Sequence, residues 1–162
     1  MYSDIVPFTL KPGQVHLVKR EGFIRTVVGS AVSICIWDED LKYACMCHYL
    51  FPMPAPGDAS SGLYATESVP KMLRTMSSAG SKRRSLSAHI LGGASPTTTP
   101  DPTAEQNIEA ARYILYQNKI PVICEDVGGR VGRKIVFNAE NGNVAVVKVR
   151  KLRDGDWYDD TE

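Results

Sequence analysis

At 162 residues with a formal charge of +1, the chain is the size of one domain and lacks the bulk charge that holds nucleic acid or an anionic membrane. Hydrophobic residues make up 43% and charged residues 23%, with 13 glycines and 10 prolines, a turn-rich globular composition that excludes wholesale disorder. Residues 1–10 carry Asp4 and Pro7 with no basic head and no long apolar run, which is not the pattern of a secretory signal, and no stretch is long and apolar enough for a membrane helix. A cytoplasmic single domain over 1–162 is the expectation, with 1–12 and 150–162 peripheral or frayed and Cys35, Cys45, Cys47 and Cys124 kept as thiols.

In chain order, 14–19 and 23–28 read as strands joined by the turn signal Glu21-Gly22, which predicts a hairpin. A third strand over 31–37 sets Val32, Ile34 and Ile36 on one face and Ala31, Ser33 and Cys35 on the other, ending at the acidic cluster Asp38-Glu39-Asp40. Tyr43 to Phe51 is a fourth strand, and 51–62 a proline- and glycine-rich loop. Val69, Met72, Leu73 and Met76 recur at helical spacing, with Ser68 as N-cap, Pro70 in the first turn and Gly80 as the stop. Leu86, Ala88 and Ile90 alternate in a fifth strand. After a loop marked by Pro96, Pro100 and Pro102, a second helix spans 104–117, with Thr103 and Gln106 as a capping box and Ile108, Ala111, Ile114 and Leu115 as its buried stripe. Strands over 120–124, 134–137 and 144–149 follow, the last two joined at Asn141-Gly142. Four strands, helix, strand, helix and three strands is not the alternation of a doubly wound sheet; it predicts an α+β fold, a layered sandwich with two helices covering strand-rich layers.

Three histidines are few enough to weigh one by one. His16 and His89 lie in strand patterns without a titratable neighbour and read as ordinary histidines, whereas His48 stands where a strand gives way to a loop, a place where sites are built. Cys45-Met46-Cys47-His48 has no second Cys/His pair to close a tetrahedral zinc site, and Cys47 and His48 point to opposite faces of a strand, so neither a metal nor a thiol and base pair is read there. Gly92-Gly93, Gly128-Gly129 and Gly132 fit no phosphate or dinucleotide loop and read as tight turns, so no cofactor is expected. Lys82-Arg83-Arg84, with no aromatic residues interleaved, reads as a solvated corner and not as a nucleic-acid site.

Five ordered blocks go further. Thr26 to Asp38 resembles the T-x-x-G-S-C-V-x-V-C-x-x-D segment of the CheD family of chemoreceptor glutamine deamidases, and His48 to Pro52 resembles its H-x-x-L-P segment. Ala88-His89-Ile90-Leu91-Gly92-Gly93-Ala94 is similar to A-K-x-x-G-G-A, Asn107 falls where that family has an asparagine opening its second helix, and 125–134 resembles D-x-G-G-x-x-G-R-K. The resemblance implies an α/β/β sandwich similar to the catalytic domain of cytotoxic necrotizing factor toxins. It also implies a cysteine amidohydrolase that turns receptor glutamines into glutamates, without metal or cofactor. Its partners would be the methylatable cytoplasmic helices of a chemoreceptor and, in some members, the phosphatase CheC; a monomer with no membrane insertion is expected. By position, His48 is the general acid and base, Thr26 its orienting residue with Arg25 as the alternative register, and Gly29 and Ser30 the substrate-binding turn.

The chain departs from that pattern where the chemistry begins. The residue after Gly29-Ser30, the nucleophilic cysteine of the family, is Ala31, and Cys47 stands where the family commonly has asparagine. A methyl group cannot attack a carboxamide, so the chain as it stands is expected to be inactive. Ala31 is accounted for either as an introduced change to an active deamidase or as a natural loss in a homologue kept for binding. The binding surface is expected as a shallow groove floored by Ala31 and His48 and walled by the 51–62 loop and the turn near Gly128.

Overall fold

The computed structural model describes residues 5–59, 61–95 and 101–150; Pro96, Pro100 and the tail beyond Arg150 lie outside the described residues. Nine strands fall into two sheets among them. β1 (Phe8–Thr9), β3 (Phe23–Val28), β8 (Gly132–Asn138) and β9 (Val144–Val149) form a four-stranded sheet in the order β1-β3-β8-β9. β2 (Val15–Lys19), β5 (Tyr43–Tyr49), β4 (Val32–Asp38), β6 (Leu86–Gly92) and β7 (Val122–Val127) form a five-stranded sheet in the order β2-β5-β4-β6-β7. Both helices, α1 (Ala65–Ser78) and α2 (Pro102–Gln117), pack on the outer face of the five-stranded sheet, burying Val69, Met72 and Met76 and Ile108, Ala111 and Leu115 against Val32, Ile34 and Ile36. The four-stranded sheet covers the other face, where Ala31, Cys35, Ala44 and Met46 meet Ile24, Val28, Ile135 and Phe137. The result is the layered α+β sandwich expected from the element order, in the α/β/β arrangement that the resemblance implies. No helix is long and apolar enough to cross a membrane among the described residues.

Because β4 and β5 lie in the middle layer they are buried on both faces, so polar side chains on them, Ser33 and His48 among them, need internal partners. Ser33 meets that need by donating from Oγ to the Cys47 carbonyl at 2.7 Å.

Several expectations change in three dimensions. β2 and β3 do not form a hairpin: β2 pairs antiparallel with β5, whereas β3 pairs with β8, so the Glu21-Gly22 connection arches from one sheet to the other. Gly22 at φ +130° and Arg20 at φ +68° carry that change of direction. α1 begins before Ser68, at Ala65, because its first donors are taken by the preceding loop: Ala65 N–H donates to the Phe51 carbonyl at 2.9 Å and Thr66 N–H to that of Pro52 at 3.3 Å. Ser68 therefore lies inside the helix, where its hydroxyl donates to the Gly62 carbonyl, and Pro70 lies in the helix interior. α2 is capped by Asp101, whose carboxylate accepts from Thr103 N–H at 2.8 Å, in place of the Thr103 box. The segment 1–12 is not wholly peripheral, since Leu10 is completely buried and pairs through its N–H with the Arg25 carbonyl.

Candidate active site

β4 and β5 run antiparallel with Ser33 opposite His48 and Val32 opposite Tyr49. Side chains alternate along strands, so Ala31 and Ser33 share the face that carries His48, and Ala31 lies diagonally across the ladder from it. This face looks toward β3 of the neighbouring sheet, and Thr26 projects from β3 to meet the histidine, its Oγ1 2.8 Å from His48 Nδ1. Arg25, one residue away and therefore on the other face, is exposed and reaches Thr9 Oγ1 with its Nε. Thr26 is thus the member of that register next to the imidazole.

The hydrogen-bond direction at Thr26 fixes the histidine. A hydroxyl has one proton, and Thr26 Oγ1 donates it to the Leu10 carbonyl at 2.8 Å. The contact with His48 must then run the other way, Nδ1–H donating to Oγ1, which leaves Nε2 as the bare, basic nitrogen. Burial in the layer between the sheets pushes the imidazole down to about 4, so it is neutral near pH 7 and held in a single tautomer.

Carbonyl caps hold the turn before Ala31. Gly29 is held through its carbonyl by Ala94 N–H and Ala31 by Gly93 N–H, both at 2.9 Å, while Asn107 Nδ2 donates to the Ser30 carbonyl at 3.2 Å. The same Nδ2 donates to the Leu50 carbonyl at 2.8 Å, two residues beyond His48, and Tyr49 Oη donates to the Asn107 carbonyl. Asn107, fully buried on α2, therefore ties together the two backbone segments that carry Ala31 and His48. Its Oδ1 has no partner among the described residues.

The glycine blocks act on the same turn. Gly92 has φ +113°, and a Cβ there would lie 2.3 Å from the Ala31 carbonyl oxygen, so only glycine permits the approach. Arg133, 2% exposed, binds Asp126 through Nε at 3.1 Å and the Gly128 carbonyl through a terminal nitrogen at 2.9 Å, and Gly128 N–H donates to the Gly92 carbonyl. The arginine thus braces the Gly128-Gly129 turn against the end of β6.

Of the thiols, Cys35 shares the inter-sheet face with His48, two residues beyond Ser33, and burial pushes it well up. Cys45 and Cys47 lie on the opposite face of β5 in the helix-side core, where burial raises both, Cys47 to about 12. Cys124 is exposed on β7. Gly29 and Ser30 are half-buried on the turn.

Among the described residues the expected groove is not formed as one surface. Ala31 is 6% and His48 1% exposed. The Gly128-Gly129 turn lines an open depression with Ser95, Asp101 and Arg130, while Pro52 and Met53 of the 51–62 loop line another with Gln106 and Tyr113. Leu10, Asn107 and Arg133 are the contributors that the motif spacing did not assign to the site. An asparagine beside Ile108 and one turn before Ala111, on the apolar side of a helix, was the signal for one of them.

Comparison with known proteins agrees with the family that the blocks resemble. The CheD family model, described as CheD chemotactic sensory transduction, matches residues 51–148. A protein of Sulfurimonas denitrificans named probable chemoreceptor glutamine deamidase CheD is 32% identical over 142 residues, covering 85% of this chain and 91% of the relative. Proteins of the same name from Trichlorobacter lovleyi, 34% identical over 145 residues, and Methanococcus vannielii, 31% over 148, cover 88% and 89% of this chain and 90% and 96% of their own length. The chain belongs to the CheD family.

Proposed function

We propose that this protein carries the pocket of a chemoreceptor glutamine deamidase from which the nucleophile is missing, so that it engages a glutamine-bearing receptor helix without hydrolysing it. The observation that carries the reading is the Thr26–His48 pair, a neutral imidazole with Nε2 left basic, on the strand face shared with position 31. That arrangement suits a thiol at position 31. His48 Nε2 would take the thiol proton, the thiolate would add to the carboxamide carbon, and the imidazolium would return the proton to departing ammonia. Water activated by the same nitrogen would then cleave the thioester to leave glutamate and the free thiol. Thr26 keeps Nδ1 protonated throughout, and Asn107 and Gly93 hold the backbone on which the nucleophile would sit. With Ala31 in place the first step has no attacking atom.

The test is Ala31→Cys, assayed against a chemoreceptor cytoplasmic fragment for ammonia release and for glutamine-to-glutamate conversion by mass spectrometry. Activity in this variant, lost again on His48→Ala and reduced on Thr26→Ala, is the expected result. A folded Ala31→Cys protein that neither deamidates nor reacts with iodoacetamide faster than the other thiols sinks the reading.

A second reading is that of an adaptor for receptors or for CheC. It is favoured by the alanine itself and by the closure of the pocket, where His48 is only 1% exposed. Receptor binding that ignores substitutions at Ala31, His48 and the 51–62 loop is the result that selects it.

A further inference from the structure

The stretch from Ser68 to Ser95 contains no aspartate or glutamate and five cations, Lys71, Arg74, Lys82, Arg83 and Arg84, although the whole chain is only +1. The fold gathers them. Lys71 and Arg74 lie one turn apart on the outer side of α1, and Lys82 to Arg84 follow the helix, where a short 3-10 turn (Arg83–Ser85) leads into β6. All five are exposed.

Nothing within the described residues explains the cluster. Lys71, Arg74, Lys82 and Arg84 have no acidic partner among them, and α1 has no basic residue in its last turn; of the five only Arg83 meets a helix end, at Asn118, the C-cap of α2. Acidic side chains border the patch: Glu67 one turn before Lys71 on α1, and Asp40, which accepts from Ser85 Oγ. Like charges held together repel unless a counter-charge arrives.

The patch is also shaped. Arg74 and Arg83 face a crevice of about 380 Å³ with Ser77, Ser78 and Asn118 as hydrogen-bonding groups and Pro70 and Leu73 as its apolar walls. Arg83 is already held in place, one terminal nitrogen donating to the Asn118 carbonyl at 3.1 Å and to its Oδ1 at 3.0 Å, which leaves the rest of the guanidinium fork for an incoming carboxylate.

We infer that this crevice is a docking surface for a carboxylate-rich segment of a partner protein. A membrane is disfavoured because the exposed large hydrophobic side chains, among them Phe51, Met53, Tyr113 and Tyr116, all lie elsewhere, and cations around a concave crevice do not insert. Nucleic acid is disfavoured because among the described residues no aromatic side chain lines the crevice for stacking and the remainder of the chain has more acids than bases. The surface is separate from the candidate active site: Leu86 at the start of β6 pairs with Asp38, while Gly92 at its end pairs with Val32 beside Ala31, a strand length of roughly 20 Å away. Both surfaces can therefore be occupied together.

The test is fluorescence anisotropy of the full chain with a fluorescein-labelled glutamate-rich peptide of about ten residues, at low and physiological salt. Arg74→Ser/Lys82→Ser/Arg84→Ser removes three cations without a structural partner, and Lys19→Ser/Arg130→Ser/Lys148→Ser removes the same charge elsewhere. The expected result is at least about tenfold weaker binding in the first triple and under about twofold in the second, with affinity falling as salt rises. If the first triple melts at a lower temperature than the parent, Lys82→Ser alone replaces it, with about threefold weakening expected. Equal loss in both triples, no saturable binding to the peptide, or tighter binding of phosphatidylserine-containing vesicles or of a DNA duplex through the same residues would overturn the inference.

Discussion

Protonating His48 should unfold this protein more readily, and the size of the effect follows from where the ring sits. Its pKa is lowered by burial from 6.5 to about 4, so the unfolded chain binds a proton that the folded one refuses over that window. The unfolded state holds more protons between the two values. Stability is therefore fully present above about pH 6.5, falls as the pH drops, and levels off below about 4. The full displacement corresponds to roughly 3 kcal/mol, of which about 2 kcal/mol is lost between about pH 7.5 and pH 5. His16 and His89 are also lowered by burial and add to the trend with the same sign, so the contribution of His48 is isolated by comparison with His48→Gln, whose amide can donate to Thr26 Oγ1 in place of Nδ1–H. Urea unfolding of both proteins at the two pH values reads the difference directly, and the variant should lose about 2 kcal/mol less than the parent on acidification. A His48 that titrates near 6.5 by NMR, or a parent and variant with the same pH dependence, would refute the buried neutral imidazole and with it the basic Nε2 on which the proposed chemistry rests.

Thr26→Val leaves the Leu10 carbonyl and His48 Nδ1–H without a partner and should cost about 1–3 kcal/mol; ¹⁵N spectra of the imidazole should show loss of the pure Nδ1–H form. Asn107→Leu keeps the volume but frees the half-buried Ser30 and Leu50 carbonyls, so a destabilisation of about 1–3 kcal/mol by chemical denaturation is expected, with Ala31→Cys activity falling further than stability alone explains. Gly92→Ala drives a Cβ to 2.3 Å from the Ala31 carbonyl oxygen and should lower stability by about 3 kcal/mol or more, whereas Gly129→Ala, with open space around it and only its positive φ to resist, should cost about 1 kcal/mol in the same thermal melts.

Much of this protein is written locally. Alternation in 31–37 placed Val32, Ile34 and Ile36 against the helices and Ala31 and Cys35 against the second sheet, because a period of two admits no other division once both faces are buried. The same rule separated Cys47 from His48, and the ordered motifs identified Thr26 and His48 as residues to watch before either had a measured neighbour. What the local pattern does not contain is which partner each strand chooses. A turn at Glu21-Gly22 reads alike whether the flanking strands pair with each other or arch between layers, and only the competition of β5 for β2 and β8 for β3 decides it. The start of α1 is likewise tertiary, since its first donors are answered by Phe51 and Pro52 and not by a capping side chain nearby in sequence. The histidine's tautomer is the furthest of all from local reading. It depends on the carbonyl of Leu10, in a segment that looked dispensable, because a hydroxyl has one proton to give and the fold brings that acceptor within 2.8 Å of it.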